Sequence, residues 1–266
     1  MTEKTIHFIS GLPRSGSTLL TNILKQNPNI HGEAVSSLSS LFAMVHSTWG
    51  NIEANQEYVN MPAKKGILKS MLHGYFEHID RNIIIDRNLN WVPLISVVEE
   101  VLQRPVKIIA CVRNPAEILT SYEKAKKQNP LFFTGVDAAL GKTSSLIGRA
   151  YFYSGPDGEM GMAHRNLLDA TIMGYTDRML FVDYNRYCNT PKAQTRRIYD
   201  FLELDNFEHN FEEIVQTEQY CHHLNKIPYE HKIKSSIDKT TTNCVEYLGL
   251  DLYEQYNKQI FWDAWI

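Results

Sequence analysis

Residues Thr5 to Ser10 read Thr-Ile-His-Phe-Ile-Ser and run straight into Gly11-Leu12-Pro13-Arg14-Ser15-Gly16-Ser17-Thr18. Leu19, Leu20, Ile23 and Leu24 then recur at helical spacing. A β-branched and apolar run, a glycine-bounded turn and an amphipathic stretch spell strand, loop and helix. In that order, the backbone N–H groups of the loop and of the helix N-terminus form a cradle for an anion such as phosphate or sulfate. The two glycines keep the spacing of the pattern G-x-x-x-x-G-K-[ST], but Ser17 stands at the lysine position and Arg14 lies inside the loop. The cradle suits an anionic group, yet it lacks the lysine that reaches the β- and γ-phosphates of a nucleoside triphosphate.

The same alternation continues down the chain. Asn82–Asp86, Val106–Val112 and Met179–Val182 read as further buried strands. Helical patterns cover 17–27, 67–79, 91–103, 115–128, 164–175 and 190–202, with Pro115 and Pro191 in first turns. Strands alternating with helices predict an α/β fold, a P-loop-like three-layer sandwich. Its central parallel sheet has about four to five strands, with helices on both faces. Ligands of such sheets bind at the carboxyl ends of the strands. Asp86, Arg113 and Asp183 fall at or just past strand ends, as does the Gly11 loop, so all gather on one rim. No Pro/Gly/Ser linker divides the chain, and 1–266 reads as one domain. Val35–Met61 and the last sixty residues carry no clear pattern. Asn129–Gly161 holds Gly135, Gly141, Gly148, Gly155, Gly158 and Gly161, a density that predicts an irregular or mobile segment, a lid.

A net charge of −3 provides no global pull towards nucleic acid or anionic membranes, so any anion site must be a local concentration of positive charge. No apolar run approaches about 20 residues, and no apolar leader precedes the first strand. Cys111, Cys188, Cys221 and Cys244 are scattered without a CxxC pair, which predicts reduced thiols in a cytoplasmic protein. A Cys221–Cys244 bridge is possible, but nothing in the sequence asks for it. His222 and His223 are adjacent and lack metal-ligand spacing. Lys124, Lys126 and Lys127 read as a solvated helix face. Trp262 and Trp265 read as core or interface residues.

Three segments together resemble the sulfotransferase family that uses 3′-phosphoadenosine-5′-phosphosulfate (PAPS). Gly11–Leu20 looks like the family's 5′-phosphosulfate loop, in the arginine form of tyrosylprotein and many bacterial sulfotransferases. Val112-Arg113-Asn114-Pro115-Ala116-Glu117-Ile118-Leu119-Thr120-Ser121-Tyr122 resembles the 3′-phosphate signature of an arginine after a strand and a serine eight residues later. Val182-Asp183-Tyr184-Asn185-Arg186-Tyr187, with Pro191 and Ile198–Leu202, is similar to the stretch "Tyr-Glu-Asp-Leu … Pro … Phe-Leu-Gly". The resemblance implies that Arg14, Ser15, Gly16, Ser17 and Thr18 hold the 5′-phosphosulfate. Arg113 and Ser121 would hold the 3′-phosphate, with Tyr184 beside them. Physical reasoning agrees: a guanidinium and a hydroxyl at a helix N-terminus form a fork for a dianion.

Sulfuryl transfer to an alcohol also needs a base. The resemblance implies Glu33, in the context Gly32-Glu33, with Asp86 and His31 in reserve. Arg14 would balance charge on the bridging oxygen as the S–O bond breaks. Asp86-Arg87 resembles a family Asp-Lys pair near the acceptor, with arginine in place of lysine. Leu19 stands where many cytosolic relatives carry an adenine-stacking tryptophan, so stacking must come from elsewhere. The implied donor product is adenosine 3′,5′-bisphosphate, no metal is required, and the acceptor is a small-molecule or carbohydrate alcohol. Two other readings compete. One is a P-loop kinase or nucleotide hydrolase using Mg-ATP, with Ile83–Asp86 as a Walker B strand. The other is a non-catalytic nucleotide-binding module.

Overall fold

The computed structural model describes all residues except 1–3, 34, 58–59, 129–134, 140, 142–143, 217–234 and 238–241. Cys221, His222 and His223 lie outside the described residues, as does part of the expected lid. Five strands, β1 (Thr5–Gly11), β2 (Ile30–Glu33), β3 (Ile83–Arg87), β4 (Ile108–Val112) and β5 (Met179–Asp183), form one sheet in the order β2-β3-β1-β4-β5. Every pairing is parallel. In chain order the α-helices are α1 (Ser17–Leu24), α2 (Leu38–Thr48), α3 (Glu53–Glu57), α4 (Met61–Gly74), α5 (Ile95–Leu102), α6 (Pro115–Gln128) and α7 (Gly135–Ala139). They continue with α8 (Leu146–Ser154), α9 (Glu159–Ile172), α10 (Tyr184–Asn189), α11 (Pro191–Leu202), α12 (Cys244–Leu248) and α13 (Leu250–Asn257).

Period-two alternation divides the sheet's side chains between two cores. Ile6, Phe8, Ile84, Ile108, Ala110 and Phe181 point to one face, where residues of α2, α4, α5, α6 and α9 cover them. Ile9, Ile85, Ile109, Cys111 and Val182 point to the other, against Leu20, Ile23 and Leu24 of α1 and Ile198, Tyr199 and Leu202 of α11. The predicted three-layer sandwich with helices on both faces is the architecture observed. β1 sits in the middle, paired to both β3 and β4, so the loop after it opens among the carboxyl ends of its neighbours.

β2 is an element that the sequence reading did not assign. The Asn27 side-chain oxygen accepts from Asn29 N at 3.0 Å, and the Asn27 carbonyl accepts from Ile30 N at 3.0 Å. That turn delivers four residues to the sheet edge, too few and too polar to advertise a strand. Helix α1 stops at Leu24 rather than 27, α4 runs over Met61–Gly74 rather than 67–79, and α9 begins at Glu159 rather than 164.

The glycine-dense segment is largely helical where described. A Cβ on Gly158 would lie 2.1 Å from the Phe152 carbonyl oxygen, and one on Gly161 2.2 Å from that of Gly155. These glycines therefore close a tight corner between α8 and α9 instead of loosening it. Ion pairs hold the segment to α6: Lys126 to the fully buried Asp137 at 2.9 Å, and Arg149 to Glu123 at 2.5 Å. Lys124 and Lys127 lie over the Tyr247 ring, so the expected solvated lysine face is engaged.

Cys111, Cys188 and Cys244 are free and buried. The described C-terminal residues join the first core. Leu248, Leu252 and Tyr256 pack there, and Trp262, 1 % exposed, completes it, while Trp265 packs against Phe181. Replacing Trp262 by alanine is expected to cost roughly 3–5 kcal/mol in denaturant unfolding, through lost burial and a residual cavity. A loss below about 0.5 kcal/mol, the level of an ordinary surface change, would show that this terminus is not part of the core.

Asp86 is a buried carboxyl at the end of β3, with Trp91 Nε1 donating to it. Burial pushes its pKa up to about 6, although hydrogen bonds from Ser36 and Trp91 favour the charged form. The unfolded chain releases this proton near 3.8, so the folded state holds it more tightly between the two values. Stability should fall as pH rises from about 4 to about 6 by up to ~3 kcal/mol from this group, and then level off. Buried His7, lowered to about 4 by burial and by Arg104 and Lys107, contributes with the opposite slope. Comparing the native protein with Asp86→Asn across pH 4–7 by denaturant unfolding isolates the Asp86 term. Parallel curves would refute the burial effect.

Candidate active site

The loop after β1 is shaped by three residues with positive φ. Gly11 has φ 117°, and a Cβ there would lie 2.1 Å from the Cys111 carbonyl oxygen. The strand end therefore passes against β4 only because residue 11 has no side chain. Arg14 has φ 58° and Gly16 φ 83°, which fold the loop back onto the start of α1. Ser15 Oγ donates to the Leu12 carbonyl at 2.5 Å, closing the loop on itself. Gly16 is the N-cap of α1 and supplies no side-chain acceptor to the first N–H groups of the helix. A helix start of that kind favours an anion.

Arg113, Ser121 and Tyr184 meet this loop. Arg113 emerges one residue beyond β4, and its Nη1 donates to the Arg14 carbonyl at 3.2 Å. Its Nε donates to Glu117 Oε2 at 2.8 Å, in the first turn of α6. The guanidinium lies 4.3 Å from the centroid of the Tyr184 ring, a cation–π contact. Tyr184 begins α10, where Asp183 accepts from Arg186 N as an N-cap at 2.9 Å. The same ring packs against the loop: a Cβ on Gly16 would come within 2.6 Å of it. Arg14 Nε donates to Ser121 Oγ at 3.0 Å. Arg14, Gly16, Arg113, Ser121 and Tyr184 thus form one contact group. Ser15, Ser17 and Thr18 lie in the loop and first turn of α1 within it.

Arg87 approaches from β3, with Nε donating to Ser17 Oγ at 2.9 Å. Three guanidinium groups, those of Arg14, Arg87 and Arg113, therefore surround the loop in a chain of net charge −3. Glu33 stands on the same rim but farther along it, at the end of edge strand β2, in register with Asp86. His31 Nε2 lies 3.6 Å from Glu33 Oε1. His31, Glu33 and Asp86 alternate onto the sheet face opposite α1. That leaves a cationic stretch after β1 and β4 and an acidic stretch after β2 and β3, with Arg87 between them.

The sequence reading left the role of Arg87 open and did not single out Glu117 as a partner of Arg113. The i, i+4 spacing of Arg113 and Glu117 within a helix start was the available signal. Among the described residues no group of three or more His, Cys, Asp or Glu side chains could hold a metal ion, and no helix is long and apolar enough to cross a membrane.

Comparison with known proteins bears on the fold and the family. No curated protein matches the sequence. Among solved structures, the sulfotransferase domain from the curacin biosynthetic pathway superposes with a TM-score of 0.58 at 15 % identity, covering 95 % of this chain and 97 % of that one. The sulfotransferase domain from the Synechococcus PCC 7002 olefin synthase has a TM-score of 0.48 at 20 % identity, covering 100 % and 92 %. Mouse sulfotransferase SULT7A1, complexed with PAP, has a TM-score of 0.47 at 19 % identity, covering 78 % and 60 %. At these identities the first likeness speaks for the fold alone. The family model described as "Sulfotransferase domain" matches residues 4–244, nearly the whole chain, and the chain belongs to that family.

Proposed function

We propose that this sulfotransferase takes its sulfuryl group from PAPS and passes it to the hydroxyl of a small-molecule or carbohydrate acceptor. The observation that carries the reading is the 3.2 Å contact between Arg113 Nη1 and the Arg14 carbonyl. It supports the reading because the arginine that would clamp a 3′-phosphate touches the loop that would hold a 5′-phosphosulfate, so that one nucleotide could span both. Backbone N–H groups of Ser15, Gly16, Ser17 and Thr18 would hold the 5′ end, and Arg113 and Ser121 the 3′-phosphate, over the Tyr184 ring. Arginine and amides meet the donor's charge, so binding needs no divalent cation.

In the reaction the acceptor oxygen attacks sulfur in line with the bond to the bridging oxygen. The S–O bond breaks, its electron pair stays on the phosphate oxygen, and adenosine 3′,5′-bisphosphate leaves. Glu33 takes the acceptor proton. Arg14 and Arg87 flank the loop where negative charge builds on the leaving oxygen, a preorganised electrostatic contribution. A Mg-ATP reading would ask Asp86 to hold the cation. That carboxyl is instead fully buried and bonded to the Trp91 indole.

Calorimetric titration in EDTA should show adenosine 3′,5′-bisphosphate binding, and magnesium-dependent ATP binding in its place would overturn the reading. Arg113→Ala should weaken bisphosphate binding by about 2–3 kcal/mol, since charge-assisted bonds are lost. Unchanged affinity would remove the 3′-phosphate site. Transfer of radiolabelled sulfate from PAPS to a panel of small-molecule and sugar alcohols identifies a working acceptor. On that acceptor, Glu33→Gln should lower turnover about 10²- to 10⁴-fold with donor affinity kept. Near-normal turnover would hand the base role to Asp86 or His31.

A further inference from the structure

Glu117 places a carboxylate directly beside the arginine that the donor reading assigns to a phosphate. A negative group there subtracts from the local positive charge, so charge alone does not explain it. Geometry does. Its Oε2 accepts from Arg113 Nε at 2.8 Å, while its Oε1 accepts from Asn185 Nδ2 at 2.9 Å. One carboxylate thereby joins the start of α6 to α10, the helix that also carries Tyr184.

The result is a guanidinium held on three sides. Glu117 takes the Nε edge, the Arg14 carbonyl takes Nη1, and the Tyr184 ring covers one face at 4.3 Å. The pair is well shielded, with side chains 11 % and 21 % exposed, so water competes weakly for it. A guanidinium offers five N–H donors in a fixed fork. Two are spent on Glu117 and Arg14, which leaves donors on Nη1 and Nη2 for a phosphate. An unheld arginine would lose side-chain freedom on gripping a phosphate, whereas this one is already ordered.

We infer that Glu117, braced by Asn185, is the positioning residue that aims Arg113 at the donor's 3′-phosphate. The inference rests on the donor reading above. Its signature is selectivity for one end of the nucleotide. A residue that aims Arg113 affects ligands bearing a 3′-phosphate and leaves adenosine 5′-phosphate alone. A residue that merely supports the fold affects both.

The experiment measures affinity for adenosine 3′,5′-bisphosphate and for adenosine 5′-phosphate in the native protein, Glu117→Ala, Glu117→Gln and Asn185→Ala. Glu117→Ala should weaken the bisphosphate about tenfold, equivalent to ~1.4 kcal/mol, with adenosine 5′-phosphate changed less than about twofold. Glu117→Gln keeps an oxygen for Arg113 Nε and should recover most of the loss. Asn185→Ala, which frees the other arm, should weaken the bisphosphate alone by a smaller factor, and it carries the test if Glu117→Ala does not fold. Equal losses for both ligands, unchanged bisphosphate affinity, or tighter bisphosphate binding in Glu117→Ala would each overturn the inference. A native protein that prefers neither nucleotide would overturn the donor reading itself and the inference with it.

Discussion

The close pass of β1 against β4 at Gly11 is the constraint on which the rest of the site depends. Gly11 and Cys111 are paired in register, and a single added carbon at residue 11 would sit 2.1 Å from the Cys111 carbonyl oxygen. Two residues after Cys111 the chain reaches Arg113. Two residues after Gly11 it enters the turn that holds Arg14. The contact between Arg113 and the Arg14 carbonyl follows from that backbone proximity. Spreading the two strands by the width of a methyl group would pull apart the turn and the arginine together.

The sheet order then sorts charge along one rim. Strands β1, β4 and β5 deliver Arg14, Arg113 and Tyr184, while β2 and β3 deliver Glu33 and Asp86. Arg87, the residue after Asp86, turns to the opposite face because successive side chains of a strand alternate, and there it reaches Ser17. On the proposed reading, the donor occupies the cationic stretch and the acceptor proton leaves towards the acidic one. Each arginine is already hydrogen-bonded within the protein, to Ser121, Ser17 or Glu117, so the groups that would meet the donor are ordered in its absence.

The core holds the strands that carry this rim. Strands buried on both faces carry uninterrupted apolar runs, which is why β1, β3, β4 and β5 were legible from sequence. β2 was not, since Ile-His-Gly-Glu is short and half polar, and its strand character comes from pairing with β3. The glycines between 129 and 161 misled for a related reason. Composition counts them as looseness, whereas Gly158 and Gly161 are there because another backbone passes within about two ångströms of where a side chain would begin. The C-terminal residues had no periodicity strong enough to read, yet Trp262 is buried in the first core and meets His164 of α9.

Local sequence alone determined the strand–loop–helix unit at Gly11, the arginine–serine pair at the start of α6 and the α/β alternation. Each is written in consecutive residues whose spacing matches one period, and it survives whatever packs around it. Tertiary structure decided which of these units face each other. That Arg113 reaches the Gly11 loop, that Tyr184 lies under it, that Arg87 finds Ser17 and that Asn185 shares Glu117 all depend on strand order and register. Those join residues about 70 to 170 positions apart through non-local hydrogen bonding, which no local pattern encodes.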